Sequence, residues 1–205
     1  MIIIDPHIHT KFSPCGFIGL KELFITAIDS NLDAIIITDH NILSFQVLNH
    51  FPQEYKELLK VFIGEEISTK KGDILAYGIE YPIPKGLSPE KTIKLIHNQG
   101  GIAVAAHPYR RAGKVSHYEM IGLGDEIFNL DLDAIEGING GNQTEYNKVA
   151  IKSSKILDLP AIGGSDAHII ADIGSIVMEM PDFNTMNEFI KLIIDKKFKI
   201  RYRRR

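Results

Sequence analysis

The sequence predicts an α/β fold, a single domain of repeated strand and helix units closing as a small (β/α) barrel. Three observations predict it. Short apolar runs recur along the whole chain with little polar alternation, as in strands buried on both faces. Helix-forming stretches lie between them. A residue capable of chemistry follows one run after another, as it does where the loops after barrel strands assemble a site.

The apolar runs fall at 1–4, 34–37, 61–63, 74–76, 102–106, 134–138, 161–163 and 175–180. Seven or eight such strands fit a small barrel better than one open wound sheet. Helices are predicted at 20–30, 55–59, 88–98, 142–157 and 184–195. The third has the clearest start, with Ser88 as N-cap and Pro89 at the first helical position. Ile93 and Ile96 give it a buried face, and Gly100-Gly101 stops it. Residues 70–72 and 81–86 read as turns, the latter with two prolines.

A chain of 205 residues with 44% hydrophobic and 24% charged content is an ordinary globular domain with a substantial core. No stretch approaches the roughly 20 apolar residues of a membrane span. The start, Met1-Ile2-Ile3-Ile4-Asp5, carries no basic leader, so a cytoplasmic protein is expected. Cys15 is the single cysteine, which excludes an internal disulfide and fits a reducing compartment.

The net charge of −3 hides a split. Lys196, Lys197, Lys199, Arg201, Arg203, Arg204 and Arg205 crowd the last ten residues, while the first 195 carry 16 basic and 26 acidic groups, or −10. The reading is therefore a barrel domain over 1–195 and a basic tail over 196–205. Such a tail could touch nucleic acid, but short charged ends are more often solvated.

The polar residues at the strand ends carry the chemistry. His7 and His9 are two apart and share one face of a strand, as do Asp166 and His168. His40, Glu66 and His107 follow other runs. Mixed histidine and carboxylate donors suit zinc, iron or manganese rather than calcium. Five histidines with at least two carboxylates exceed the ligand set of one zinc ion, so two or three divalent ions are expected. Glu66 is the best bridge between them. Paired metals about 3.5–4 Å apart activate water and clamp a phosphoryl group, which points to phosphoester hydrolysis.

Asp39 and Glu65 face away from their neighbours His40 and Glu66, so Asp39 reads as a support or cap and Glu65 as a surface or supporting residue. His50, His97 and His117 read as structural or exposed. On the residues alone, Cys15 is a buried thiol as readily as a ligand, and Asp73 reads as a turn aspartate before a strand ahead of a ligand.

Taken in order, the motifs resemble the PHP (polymerase and histidinol phosphatase) family of metal-dependent phosphoesterases. They are Asp5-Pro6-His7-Ile8-His9-Thr10 with Ser13, Thr38-Asp39-His40, Gly64-Glu65-Glu66-Ile67-Ser68, Ala106-His107-Pro108-Tyr109-Arg110 and Gly164-Ser165-Asp166-Ala167-His168. The resemblance implies a small distorted (β/α)7 TIM-like barrel with a trinuclear site. It implies that His7, His9, Glu66 and Asp166 hold one metal, that Glu66 bridges to a second bound by His107, and that His40 and His168 hold the third. Cys15 stands where the family usually has histidine or aspartate, and Asp73 where many members have histidine. A thiolate is a competent zinc ligand.

Arg110 and Arg111 follow His107, and Arg110 falls in the motif position, where its planar fork suits phosphate. The catalytic assignment is Asp166, His107 and Arg110. The expected substrate is a small phosphorylated metabolite or nucleotide, attacked by metal-activated water. A nuclease, a non-catalytic barrel subunit of a protein or RNA assembly, and a metal-dependent amidohydrolase are the competing readings.

Overall fold

A computed structural model describes residues 1–111 and 122–203. Among the described residues ten strands form two mixed sheets. The first runs β10-β9-β1-β2-β3, from β1 (Ile2–Ile8), β2 (Ala34–Ile37), β3 (Lys60–Ile63), β9 (Ile176–Met180) and β10 (Lys199–Tyr202). The second runs β4-β5-β6-β7-β8, from β4 (Glu65–Ser68), β5 (Asp73–Tyr77), β6 (Ile102–Ala105), β7 (Ala134–Asn139) and β8 (Ala161–Gly164).

The α/β class is as read from the sequence, but the hydrogen-bonded ladder is not closed into a (β/α)7 barrel. Among the described residues four antiparallel pairs, β1/β9, β9/β10, β4/β5 and β5/β6, interrupt the parallel strand-helix repeat. No helix separates β3 from β4; Gly64 alone joins them. The sheets meet at two seams, through the bridges Ile8↔Ala167 and His40↔Glu66. Both seams run through residues of the ligand motifs.

Burial explains why the strands lack alternation. Along β2, Ala34 and Ile36 join a cluster with Leu75, Val104 and Ile162 of the other sheet, while Ile35 and Ile37 join a second cluster with Leu23, Phe24, Ile93 and Ile96. Both faces of β2 meet apolar neighbours, so polar residues are excluded from this strand. The last helix, α5 (Met186–Ile194), supplies Phe189 and Ile193 to the first cluster.

Four of the helices begin within two residues of where the sequence marks them. Helix α1 (Leu20–Asp29) buries Leu20, Leu23, Phe24 and Ala27, one stripe at helical spacing. A short helix, α2 (Gln46–Asn49), was not foreseen. Helix α3 (Pro89–His97) is capped by Ser88, whose side chain accepts from Lys91 N. Helix α4 is Thr144–Ile156, and α5 (Met186–Ile194) opens with a capping box between Thr185 and Glu188. The helix expected at 55–59 is instead a 3-10 turn, Gln53–Tyr55, and further turns, because Pro52 and the start of β3 leave too little chain for it.

Two strands were missed. β4 was read only as ligands after a strand, and β10 as part of a solvated tail. Three cations of that segment are engaged within the fold: Lys196 with Asp158, Lys197 with Asp195, and Arg201 with Glu179. Arg203 donates to Ser30 O. Arg204, Arg205 and His117 lie outside the described residues. No helix among the described residues is long and apolar enough to cross a membrane.

Candidate metal centre

Strand β1 aims His7 and His9 to one side at its end, and the rest of the cluster gathers from other strand ends. Glu66 comes from β4, His40 follows β2, His107 follows β6, and Asp166 and His168 follow β8. His107 (φ 28°) and Asp166 (φ 54°) both adopt left-handed backbone. Such conformations in non-glycine residues concentrate where structure holds a functional group in place. Close approach of β8 to β1 needs Gly164, since a Cβ there would lie 2.6 Å from His7 Cβ.

Nine side chains form three overlapping groups: His7, His9, Glu66 and Asp166; Glu66, Asp73 and His107; and His9, Cys15, His40 and His168. Within each group the donor atoms lie within 4.8 Å of one another. Glu66 joins the first group to the second and His9 joins the first to the third, so the three form a row.

The first group is the tightest. His7 Nε2 lies 3.1 Å from His9 Nε2, and 3.3 Å from both Glu66 Oε2 and Asp166 Oδ1. His9 Nε2 lies 3.0 Å from Glu66 Oε2 and 3.2 Å from Asp166 Oδ1. An ion with bonds of 2.0–2.1 Å sits in a tetrahedron whose edges are about 3.3–3.4 Å. The observed spacings are close to those edges. All four side chains are at most 1% exposed.

Protonation alone serves these atoms poorly. Asp166 Oδ1 and His107 Nδ1 are buried without a hydrogen-bond partner, which in a native interior calls for an explanation such as an ion. Burial opposes a charged His7, but Glu136, Asp166 and Glu66 outweigh it and hold its pKa well above the usual value. The field that draws a proton there draws a cation equally. Burial and the neighbouring Glu66 charge push Asp73 up to about 6. The residues present therefore fit divalent cations.

Glu136 organises the cluster from behind and was not picked out from the sequence. Its Oε1 accepts from His7 Nδ1 at 2.8 Å, which leaves Nε2 facing the other ligands. Its Oε2 accepts from His107 N at 2.8 Å and from Asn139 Nδ2 at 2.9 Å. A lone carboxylate inside the apolar strand 134–138 was the available signal, since such a residue is seldom buried without a task.

Other side chains tie the loops down. Asp5 accepts from Ser165 N and Gly174 N, and burial still pushes it up to about 6. Asp39, in none of the ligand groups, accepts from Thr10 N, Thr10 Oγ1 and Ser44 Oγ at 2.6–2.7 Å. Glu65 is buried rather than at the surface and accepts from Ile83 N at 3.0 Å.

At the exposed end of the row, Cys15 Sγ lies 3.1 Å from His168 Nε2. Burial alone would raise the thiol, but contacts with His168 and His40 lower it to about 5. Arg110 donates to Asp166 Oδ2 at 2.5 Å, Asn139 Oδ1 at 2.6 Å and Asn142 Oδ1 at 2.8 Å. Arg111 is exposed. His50 is exposed, and His97 pairs with Asp133, away from the cluster. Beside His40 a cavity of about 440 Å³ has an apolar wall of Pro14, Pro82, Ile83 and Pro84, with Asn41 and Lys85 as its polar members.

Fold and site together define an α/β protein with a buried histidine and carboxylate cluster suited to divalent cations. The chain belongs to the PHP family: the PHP domain model matches residues 5–155, and a PHP-associated model matches 144–197. An uncharacterized protein of Methanocaldococcus jannaschii is 41% identical over 172 residues, spanning 76% of this chain and 92% of its own length. Among solved structures, PsfC from Pseudomonas syringae superimposes with TM-score 0.72 at 16% identity, covering 98% of this chain and 91% of that one. A two-domain Bacteroides vulgatus protein containing a predicted PHP-like metal-dependent phosphoesterase gives 0.76 at 18% identity, over 98% of this chain and 64% of that one. The lesion-specific endonuclease Q of Pyrococcus furiosus gives 0.66 at 16% identity, over 97% and 57%.

Proposed function

We propose that this protein is a metal-dependent phosphoesterase that hydrolyses a small phosphorylated metabolite or nucleotide. The observation that carries the reading is the row of three ligand groups joined through Glu66 and His9. His7, His9, Glu66 and Asp166 would hold one ion, Glu66, Asp73 and His107 a second, and Cys15, His40 and His168 a third. Bound zinc, manganese or iron supplies an activated water and counter-charge for the phosphoryl group.

The protein's own groups do the rest. Arg110 has three of its N–H groups committed to Asp166, Asn139 and Asn142, and its remaining donors would meet phosphoryl oxygens at the rim of the cluster. By pairing with Asp166 Oδ2 it also fixes that carboxylate so that Oδ1 faces His7 and His9. Burial favours neutral Asp166, but His7 and Arg110 outweigh it and hold the carboxyl well below the usual range, so it stays an acceptor for the attacking water. His107, on the far side of Glu66, completes the catalytic set. The cavity beside His40 accommodates the non-reacting part of a small substrate.

A small substrate is favoured over a polynucleotide because cations of the basic C-terminal segment already have partners on this chain, three in surface ion pairs and Arg203 on Ser30 O. The test is a panel of phosphomonoesters, phosphodiesters and oligonucleotides, assayed after chelation and after reloading with manganese or zinc. Metal-restored hydrolysis of small esters is expected. Shortening of oligonucleotides with small esters untouched would install the nuclease reading; co-purification of a stable partner with no turnover would install the subunit reading.

A further inference from the structure

The three ligand groups differ in chemistry along the row, and the difference predicts how they fill. His9 Nε2 is surrounded by His7, Glu66 and Asp166 at 3.0–3.2 Å, and its Nδ1 faces Ser13 Oγ at 3.2 Å. One imidazole lone pair serves one ion, so His9 belongs to the buried group. The outer group then keeps Cys15, His40 and His168: one sulfur, two nitrogens and no carboxylate. The inner group has the opposite character, with Glu66 and Asp73 carboxylates around a single imidazole of His107.

Accessibility follows the same gradient. The His168 and His40 side chains are 30% and 19% exposed and Cys15 is exposed, whereas the Glu66 and His107 side chains are at most 2% exposed. Three protein ligands leave a fourth direction open. Thiolate selects zinc or similarly soft ions, while carboxylate-rich sets accept manganese.

We infer that the centre is heteronuclear: the Cys15, His40 and His168 position takes zinc selectively, and the Glu66, Asp73 and His107 position takes a harder ion such as manganese. The inference rests on the metal-centre reading above and adds which ion goes where. It also places the open, exchangeable position beside the cavity lined by His40.

Cobalt reports on the assignment without any assay of activity. Metal-free protein titrated with Co²⁺ should develop a thiolate-to-cobalt charge-transfer band in the near ultraviolet. That band should be lost in Cys15→Ser while visible cobalt bands from the other positions persist. A single equivalent of zinc should bleach the band, and excess manganese should not. In Cys15→Asp, which keeps a ligand but hardens it, metal analysis should show manganese retained where wild type retains zinc. Cobalt bound without the band, a band unchanged in Cys15→Ser, or manganese bleaching it as readily as zinc would overturn the inference and leave the metal-centre reading standing. Failure to bind any divalent ion would overturn both.

Discussion

Glu136 contributes no donor to the three ligand groups, yet it touches the residues that do. It orients His7 through Nδ1 and receives the backbone N–H of His107. Loss of such a carboxylate behind a metal-binding histidine lowers metal affinity about 10–100-fold. Glu136→Gln should show that fall in calorimetric titration with zinc while keeping its circular dichroism spectrum; unchanged affinity would remove Glu136 from the account. Arg110 makes a second residue-scale prediction. Lysine cannot reproduce a fork bonded to Asp166, Asn139 and Asn142 together. Charge-assisted hydrogen bonds contribute roughly 1.5–3 kcal/mol each, so Arg110→Lys should lower kcat/KM for the best ester at least about tenfold. Equal kinetics would show that the fork is dispensable. Most of the candidate ligands were legible in the sequence because they stand after an apolar run; Cys15 and Asp73 do not, and only the order of motifs drew them in. Glu136 was not legible, because it sits within such a run, where periodicity marks burial but not purpose.

At the scale of elements, the approach of β8 to β1 is what lets Asp166 meet His7 and His9. Gly164→Ala would place a methyl group 2.6 Å from His7 Cβ. Overpacking of this kind costs about 1–3 kcal/mol. The variant should therefore show a lower urea midpoint together with weaker metal binding; a midpoint equal to wild type would mean that the strands part without penalty. Helix α3 offers a control remote from the ligands: Ser88→Ala removes a cap and should cost about 1 kcal/mol with metal binding intact. Cap, proline and glycine signals placed this helix to within a residue or two. Strand β10 was not legible in the basic segment, because charge alone does not reveal strand pairing. β10 is an edge strand, and lysine and arginine on an edge discourage further strand addition. Truncation after residue 198 should lower the melting temperature by exposing β9, and an unchanged melting temperature would return the segment to the status of a tail.

At the scale of the whole molecule, the two sheets face a common core, and their seams carry the ligand motifs. Asp166 N bonds to His7 O, and Asn41 N to Glu66 O, at 2.8 Å each. The same backbone contacts that join the sheets thus hold candidate ligands from opposite sides of the cluster. The α/β class could be read from the apolar runs, since burial on both faces leaves its mark in composition. The division into two sheets could not, because parallel and antiparallel neighbours bury the same side chains and differ only in hydrogen-bond pattern. On the proposed function, hydrolysis depends on ions held by His7, His9, Glu66 and Asp166. That dependence is tested most directly by titrating metal-free wild type and His9→Ala with manganese while following phosphate release from the best small ester. Wild-type turnover should appear with metal and rise with occupancy, and folded His9→Ala should stay near background. Turnover that persists without metal, or a fully loaded wild type inert toward every ester, would contradict the account.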